Sequence, residues 1–222
     1  MKTIFLSLSL TIFCAGCAAV LFEPVPLVPL GETSPAQIRE HAERSLPERF
    51  ATLSSIVFKY RMHSTTALGY TEVNCPEDSF SVVALSPTGI KLFELSAKGD
   101  QIETHYVMEE LLEHGDLPAT VAGDIRKIFF HRNPSPSAVS RKDVSTVTFR
   151  ENREDGCLTE YILGGSNPAL IKKRLYENND LVWTVTYHEY RDHNGRLYPA
   201  GIVLKHHQYK YQLIIRLKEI YD

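Results

Sequence analysis

Beyond its first twenty positions the chain has no apolar run approaching the roughly 20 residues that span a bilayer, so a bundle of membrane-crossing helices is excluded. It also lacks a basic cluster: 24 Lys+Arg are scattered among 27 Asp+Glu, and no nucleic-acid surface is indicated. Catalytic signatures are missing. No G-x-S-x-G elbow occurs, since Gly164-Gly165-Ser166-Asn167-Pro168 ends in proline and reads as a turn between two strands. No phosphate-cradling glycine pattern is present. Nine histidines invite a test for metal. His206 and His207 are adjacent on a strand and point to opposite faces. His188 and His193, with Glu189 and Asp192 nearby, match no ligand spacing. Glu109, Glu110 and Glu113 read as a solvated helical face. Neither catalytic residues nor a metal or other cofactor is expected, and an enzyme is not.

What the chain does have is a distinctive start. Lys2 supplies a positive first region, Ile4 to Phe13 an apolar one, and Cys14-Ala15-Gly16-Cys17 places two small residues before a cysteine. The apolar stretch of about 13 residues is too short to stay as an anchor, and no A-x-A triplet precedes Cys17 as a plain secretory site would require. The pattern is that of a lipoprotein signal, residues 1–16, cut to leave an acylated Cys17. Cys14 stands where such motifs carry Leu, Val or Ile. Ala18 and Ala19 replace the Asp that retains enterobacterial lipoproteins in the inner membrane, so the expected location is the periplasmic face of the outer membrane. Processing leaves Cys75 and Cys157. In an oxidising compartment they form a disulfide or remain two buried thiols on different strands.

Residues 17–33 carry three prolines, Pro24, Pro26 and Pro29, and read as a lipidated tether. One domain, residues 34–222, follows. Ser34-Pro35-Ala36-Gln37 combines an N-cap, a proline at the first helical position and a capping box, predicting a helix to about Leu46. The period then changes to two. Ile56, Phe58, Tyr60 and Met62 alternate with polar neighbours; Phe80, Val82 and Ala84 run into the turn Ser86-Pro87-Thr88-Gly89, and Ile90–Ser96 and Gln101–Val107 follow. Residues 107–113 read as a short helical turn. Residues 118–130 are amphipathic, with Val121, Ile125, Ile128 and Phe129 on one face and Asp124, Arg126 and Lys127 on the other. The stretch His131–Asp143 reads as a mobile loop. Strands are expected at Ser145–Arg150, Cys157–Leu163, Leu170–Tyr176, Leu181–Tyr190, Tyr198–His206 and Tyr209–Leu217. The fold class is mainly β with a few helices (α+β): a curved antiparallel sheet making an unclosed barrel, with helix 118–130 over its mouth.

The hairpin Ala84-Leu85-Ser86-Pro87-Thr88-Gly89-Ile90-Lys91-Leu92-Phe93, the terminal hairpin from Tyr198-Pro199-Ala200-Gly201-Ile202-Val203-Leu204 to Tyr209-Lys210-Tyr211-Gln212-Leu213, and the lipobox together resemble a family of Gram-negative lipoproteins of unknown function, related to the lipoprotein carrier LolA and receptor LolB. The resemblance spans about residues 50–217. It implies an unclosed barrel with a helical lid over an apolar cavity that takes acyl chains. Members of that family tend to be encoded near fatty-acid-synthase-like enzymes making aryl polyene lipids, which implies lipid handling. No stretch matches the membrane-inserting loop of LolB.

Candidate cavity residues are Trp183, Val185 and Tyr187 on one strand, Tyr209, Tyr211, Leu213 and Ile215 on the last, and Phe58, Tyr60 and Phe93 earlier. The same stripes serve equally as an ordinary packed β core. Two roles stand at this point: an outer-membrane lipoprotein that binds or transfers an acyl-bearing molecule, or a lipid-anchored scaffold for another envelope protein.

Overall fold

The computed structural model describes residues 21–113, 115–153 and 155–221. The signal segment 1–16 and Cys17 lie outside the described residues. Helix α1 (Pro35–Ser45) is followed by strands β1 (Arg49–Tyr60), β2 (His63–Asn74), β3 (Ser79–Leu85), β4 (Lys91–Lys98) and β5 (Gln101–Val107). Two helices come next, α2 (Glu109–Leu112) and α3 (Leu117–Phe129). The chain ends with β6 (Val139–Lys142), β7 (Thr146–Asn152), β8 (Leu158–Gly164), β9 (Ala169–Glu177), β10 (Asp180–His193), β11 (Arg196–His206) and β12 (Tyr211–Tyr221).

All twelve strands join one antiparallel sheet in the order β5-β4-β3-β2-β1-β12-β11-β10-β9-β8-β7-β6. Two meanders, each built from tight turns, meet where β1 pairs with β12 (Phe58 opposite Leu213, Tyr60 opposite Tyr211). The sheet stays open: β5 and β6 are its edges. The chain leaves the edge at β5, forms α2 and α3, and returns at β6, so the segment joining the two edges is also the cover of the sheet's concave face. The turns are of the expected kind. Gly89 takes φ +86° after Ser86-Pro87-Thr88, a conformation glycine adopts without a Cβ clash.

One buried cluster holds the fold together. It draws Phe50, Val82, Leu95, Val147, Leu163, Val185, Tyr187 and Leu204 from the concave face, Ile38 and Ala42 from α1, and Ile125, Ile128 and Phe129 from α3. Ser34 accepts from the Gln37 N–H at 3.3 Å while the Gln37 side chain accepts from the Ser34 N–H at 2.9 Å. This capping box starts α1 where the sequence places it. Among the described residues no helix is long and apolar enough to cross a membrane.

The structure adds to or departs from the sequence reading at four points. Residues 63–74 form β2, which no alternation announces because its concave-side positions are small. Gly69 is the clearest: a Cβ there would lie 2.5 Å from Ile56 Cδ1. The loop expected to be mobile contains β6, paired with β7 from Val139 opposite Arg150 to Lys142 opposite Val147. The proline-rich stretch is no free tether from residue 21 onward: Phe22 is 5% and Leu30 7% exposed, because both insert apolar side chains into the domain. Finally, Cys75 and Cys157 are free thiols. Cys75 follows β2 at one end of the sheet and Cys157 precedes β8 at the other, beyond the reach of a disulfide.

Candidate functional site

Side chains opposite one another in paired strands share a face, so the register places each candidate. Trp183 lies opposite His206, His206 opposite Tyr211 and Tyr211 opposite Tyr60. The next row runs Val185, Leu204, Leu213, Phe58, and the third Tyr187, Ile202, Ile215, Ile56. Eight of the proposed cavity residues thus line three adjacent rows of the concave face. Phe93 shares that face farther along the sheet, opposite Ala84. Tyr209 is the exception. It sits in the β11–β12 turn, 64% exposed, with its ring 4.5 Å from that of His206, because β12 starts only at Tyr211.

The floor is not uniformly open. Trp183, Val185, Tyr187, Tyr211 and Ile215 are buried in the core that α1 and α3 complete. Phe58 and Tyr60 are each 38% exposed, and Leu213 and Phe93 are half-buried. Phe58 and Tyr211 form a tilted ring pair at 5.5 Å. The concave face is therefore covered over β10–β12 and uncovered on β1 beside the β1–β2 turn, where Phe58 and Tyr60 lie.

Helix α3 is the cover. Asp116 caps it, accepting from the Ala119 N–H at 3.0 Å, and Ala122, Ile125, Ile128 and Phe129 are pressed against the sheet. Several polar ties hold it. The Tyr211 hydroxyl donates to the Asp124 carboxylate at 2.7 Å, and Lys127 Nζ donates to the same group at 2.7 Å. Asp124 is only 6% exposed; it faces the sheet rather than the solvent side assigned to it from the helical pattern. Its spacing, three after Val121 and four before Ile128, is the signal that puts it on the inner face. The Tyr187 hydroxyl donates to the Ile128 carbonyl at 2.8 Å and Lys173 Nζ to the Phe130 carbonyl at 2.9 Å, satisfying carbonyls that a helix end leaves open. Arg126 pairs with Asp78 at 2.5 Å and also donates to the Gly99 carbonyl.

These ties have electrostatic consequences. Burial pushes Lys173 down to about 7 from its ordinary 10.5, with Arg132 and Arg153 adding repulsion and Glu151 opposing. Its ammonium also lies over the rings of Trp183, at 5.7 Å, and Tyr161, at 5.8 Å. Burial raises the Tyr187 and Tyr211 hydroxyls, the latter also through Asp124, so both stay protonated and keep donating. His206 is pushed down to about 4 by burial, with Lys127 and His207 adding repulsion. It is a neutral ring on an apolar floor. Lys173 and the buried Arg132, which donates to the Pro47 carbonyl at 3.1 Å, carry no signal in the sequence, since a charge on a strand or after a helix reads as surface.

Other concavities have a different character. One groove, about 790 Å³, lies over β2–β5 and is lined in part by Glu72, Ser81, Ser96, Lys98 and Glu103. A second, about 600 Å³, lies between residues 28–33, α1 and the β8–β9 turn. Among the described residues, no group of three or more His, Cys, Asp or Glu is placed to hold a metal. The concave face offers methyl, methylene and aromatic surface, which suits a chain of CH₂ groups.

Residues 53–219 match the model of the family described as Protein of unknown function (DUF3261). No curated protein matches the chain. Among solved structures, a LolA superfamily protein from Nitrosomonas europaea superposes with a TM-score of 0.56 at 13% identity, over 85% of this chain and 93% of that one. A domain assigned to outer membrane lipoprotein sorting, from Vibrio parahaemolyticus, gives 0.51 at 11% identity, over 83% and 90%. A DUF1329 family protein from Desulfovibrio piger gives 0.52 at 9% identity, over 86% and 94%. The fold, an open antiparallel sheet with helices on its concave face, is similar to the folds of these structures.

Proposed function

The chain belongs to the DUF3261 family, and on that footing, with its LolA-like fold, we propose that it is a lipid-anchored envelope protein that binds or passes on an acyl-chain-bearing molecule, without catalysis. In this reading the signal of residues 1–16 is removed, Cys17 carries the acyl chains, and the domain works from the periplasmic face of the outer membrane. The observation that carries it is the seat of α3: a helix of thirteen residues covering an aromatic and aliphatic floor through a few apolar side chains and a handful of hydrogen bonds, next to a stretch where Phe58 and Tyr60 are already exposed.

The ligand's tail enters at Phe58 and Tyr60 and advances along the rows beneath α3. Lifting the helix uncovers Ile125, Ile128 and Phe129, side chains whose burial is worth about 1.5–3 kcal/mol each. A tail returns about 0.8 kcal/mol per buried CH₂. About six to eleven methylenes therefore offset the apolar contacts of the lid, so long acyl chains open it and short ones do not. The hydrogen-bonding groups Tyr187, Lys173 and Tyr211 remain on the floor and are free, once the lid rises, to meet a polar headgroup.

Native mass spectrometry of the protein purified from membranes tests this. The expected result is a co-purified species whose mass fits an acyl-bearing lipid and which is displaced by added long-chain fatty acid. Repeatedly empty protein, with a stoichiometric envelope protein captured by crosslinking in its place, overturns the carrier reading in favour of a scaffold.

A further inference from the structure

The residues leading into α1 mark where the domain is held. Phe22 packs on Val203, Ile214 and Val57, a patch on the convex face, opposite the lid. Its ring stacks on His188 at 5.5 Å and carries the Arg216 guanidinium at 4.5 Å. Arg216 also donates to the Leu21 carbonyl at 2.8 Å, and the Glu23 N–H donates to Glu189 at 2.9 Å. The site is built for it: a Cβ on Gly201 would collide with the Phe22 ring, so glycine is the residue that leaves the space. The chain thus joins the convex face near its middle.

Geometry then limits the anchor. Residues 17 to 21 span at most about 14 Å fully extended. Arg216 lies five residues from either end of β12, roughly 17 Å along the strand. Acyl chains on an acylated Cys17 would therefore start within about 14 Å of Leu21, which lies against the convex face.

That face is basic although the whole chain carries a formal charge of −3. The register sets Lys59, Gln212, Lys205, Thr184 and Arg174 in one row and Lys172 in the next. Two of the nearby carboxylates are paired, Glu160 with Arg150 and Arg174 at 3.0 and 2.9 Å and Glu189 with Arg216 at 3.5 Å, while Glu219 on β12 and Glu23 beside Phe22 are exposed to solvent. Among the described residues no carboxylate lies within ion-pair distance of Lys59, Lys172 or Lys205.

We propose that the convex face of β9–β12 and β1, centred on the Phe22 dock, lies on the anionic phospholipid headgroups of the bilayer that holds the anchor, turning α3 and the concave face to the periplasm. This rests on the reading of Cys17 as acylated. Cations spaced across the convex face complement a headgroup layer, and the short link keeps them within its range.

Lysine reactivity tests it on the full, membrane-purified protein bound to phosphatidylcholine vesicles with or without phosphatidylglycerol. A water-soluble amine-acylating reagent is read out by peptide mass spectrometry. With phosphatidylglycerol, Lys59 and Lys205 should react about fivefold more slowly than without it, while Lys98, 73% exposed on the β4–β5 turn, is unchanged. Phe22→Ala frees the link and should abolish the contrast. An acylated Cys17 peptide with equal reactivity at all three lysines overturns the docking face and leaves the anchor standing. Protection that persists without phosphatidylglycerol overturns the headgroup assignment. Absence of the acylated peptide overturns the anchor and the docking face together.

Discussion

Replacing Lys173 by methionine should change the sign of its effect on stability with pH. The buried amine is held down to about 7, against 10.5 when exposed in the unfolded chain. Between those values the unfolded chain binds the extra proton, so stability contributed at this site rises with pH across the window and is lost as pH falls through it. At about 1.4 kcal/mol per unit, the full window is worth roughly 4–5 kcal/mol. Methionine fills similar space without a charge, but it leaves the Phe130 and Lys127 carbonyls, at 2.9 and 3.4 Å from Nζ, without their donor. That loss costs about 1–3 kcal/mol at any pH. Near pH 7 relief of the buried charge outweighs the lost hydrogen bonds, and Lys173→Met is more stable than the parent. Near pH 10 the folded lysine is neutral and the unfolded one still largely charged, so about 1 kcal/mol of the penalty remains; the lost bonds offset or exceed it, and the variant's advantage is gone. Urea unfolding followed by circular dichroism at several pH values between 7 and 10 reads the crossing directly, because titrations common to both proteins cancel in the difference. Parallel stability curves over that range refute the argument.

Three other outcomes follow from the same contacts. Tyr211→Phe removes a hydrogen bond to the Asp124 carboxylate, a loss of about 1.5–3 kcal/mol. Amides of α3 should exchange faster than those of β10 and β11, and uptake of a long-chain fatty acid should accelerate; uniform exchange across the domain would contradict a lid role. Gly201→Leu displaces the Phe22 ring and should make residues 21–30 sensitive to protease while changing domain stability by at most about 1 kcal/mol, with Phe22→Ala giving the same cleavage pattern. Alkylation of unreduced, unfolded protein should label both Cys75 and Cys157, since each is a free thiol; a species two hydrogens lighter with neither labelled would refute their separation.

Much of the β structure is legible because burial on one face leaves a period of two. Phe80, Val82 and Ala84, and Trp183, Val185 and Tyr187, announce their strands this way, and all six are buried on the concave side. The α1 start is legible because capping is local: Ser34 and Gln37 satisfy each other three residues apart. β2 escapes notice because its inward positions need to be small beneath Ile56, so the feature that makes it fit removes its hydrophobic signal. Asp124 was misassigned for a related reason. A lone carboxylate on a helix is usually solvated, and only the arrival of Tyr211 from eighty-seven residues away makes burial affordable.

The candidate site divides along the same line. Period and residue type select the aromatic stripes, but the rows joining Trp183 to Tyr60 exist only because β1 pairs with β12, a contact between the first and last strands that no turn encodes. Whether a stripe is floor, mouth or turn depends on what covers it, which is why Tyr209 falls outside and Phe58 stays half open.

By itself, then, the amino-acid order determines the strands other than β2 and β6, their turns, the capped α1, the amphipathic α3 and the mainly β class, since each depends on interactions a few residues apart. The tertiary structure alone decides that α3 covers the floor, that Lys173 and Asp124 are drawn inside to hold it, and that Phe22 docks over Gly201 on the opposite face. Those outcomes depend on partners more than forty residues distant, whose desolvation and hydrogen bonding take their values only once the sheet has assembled.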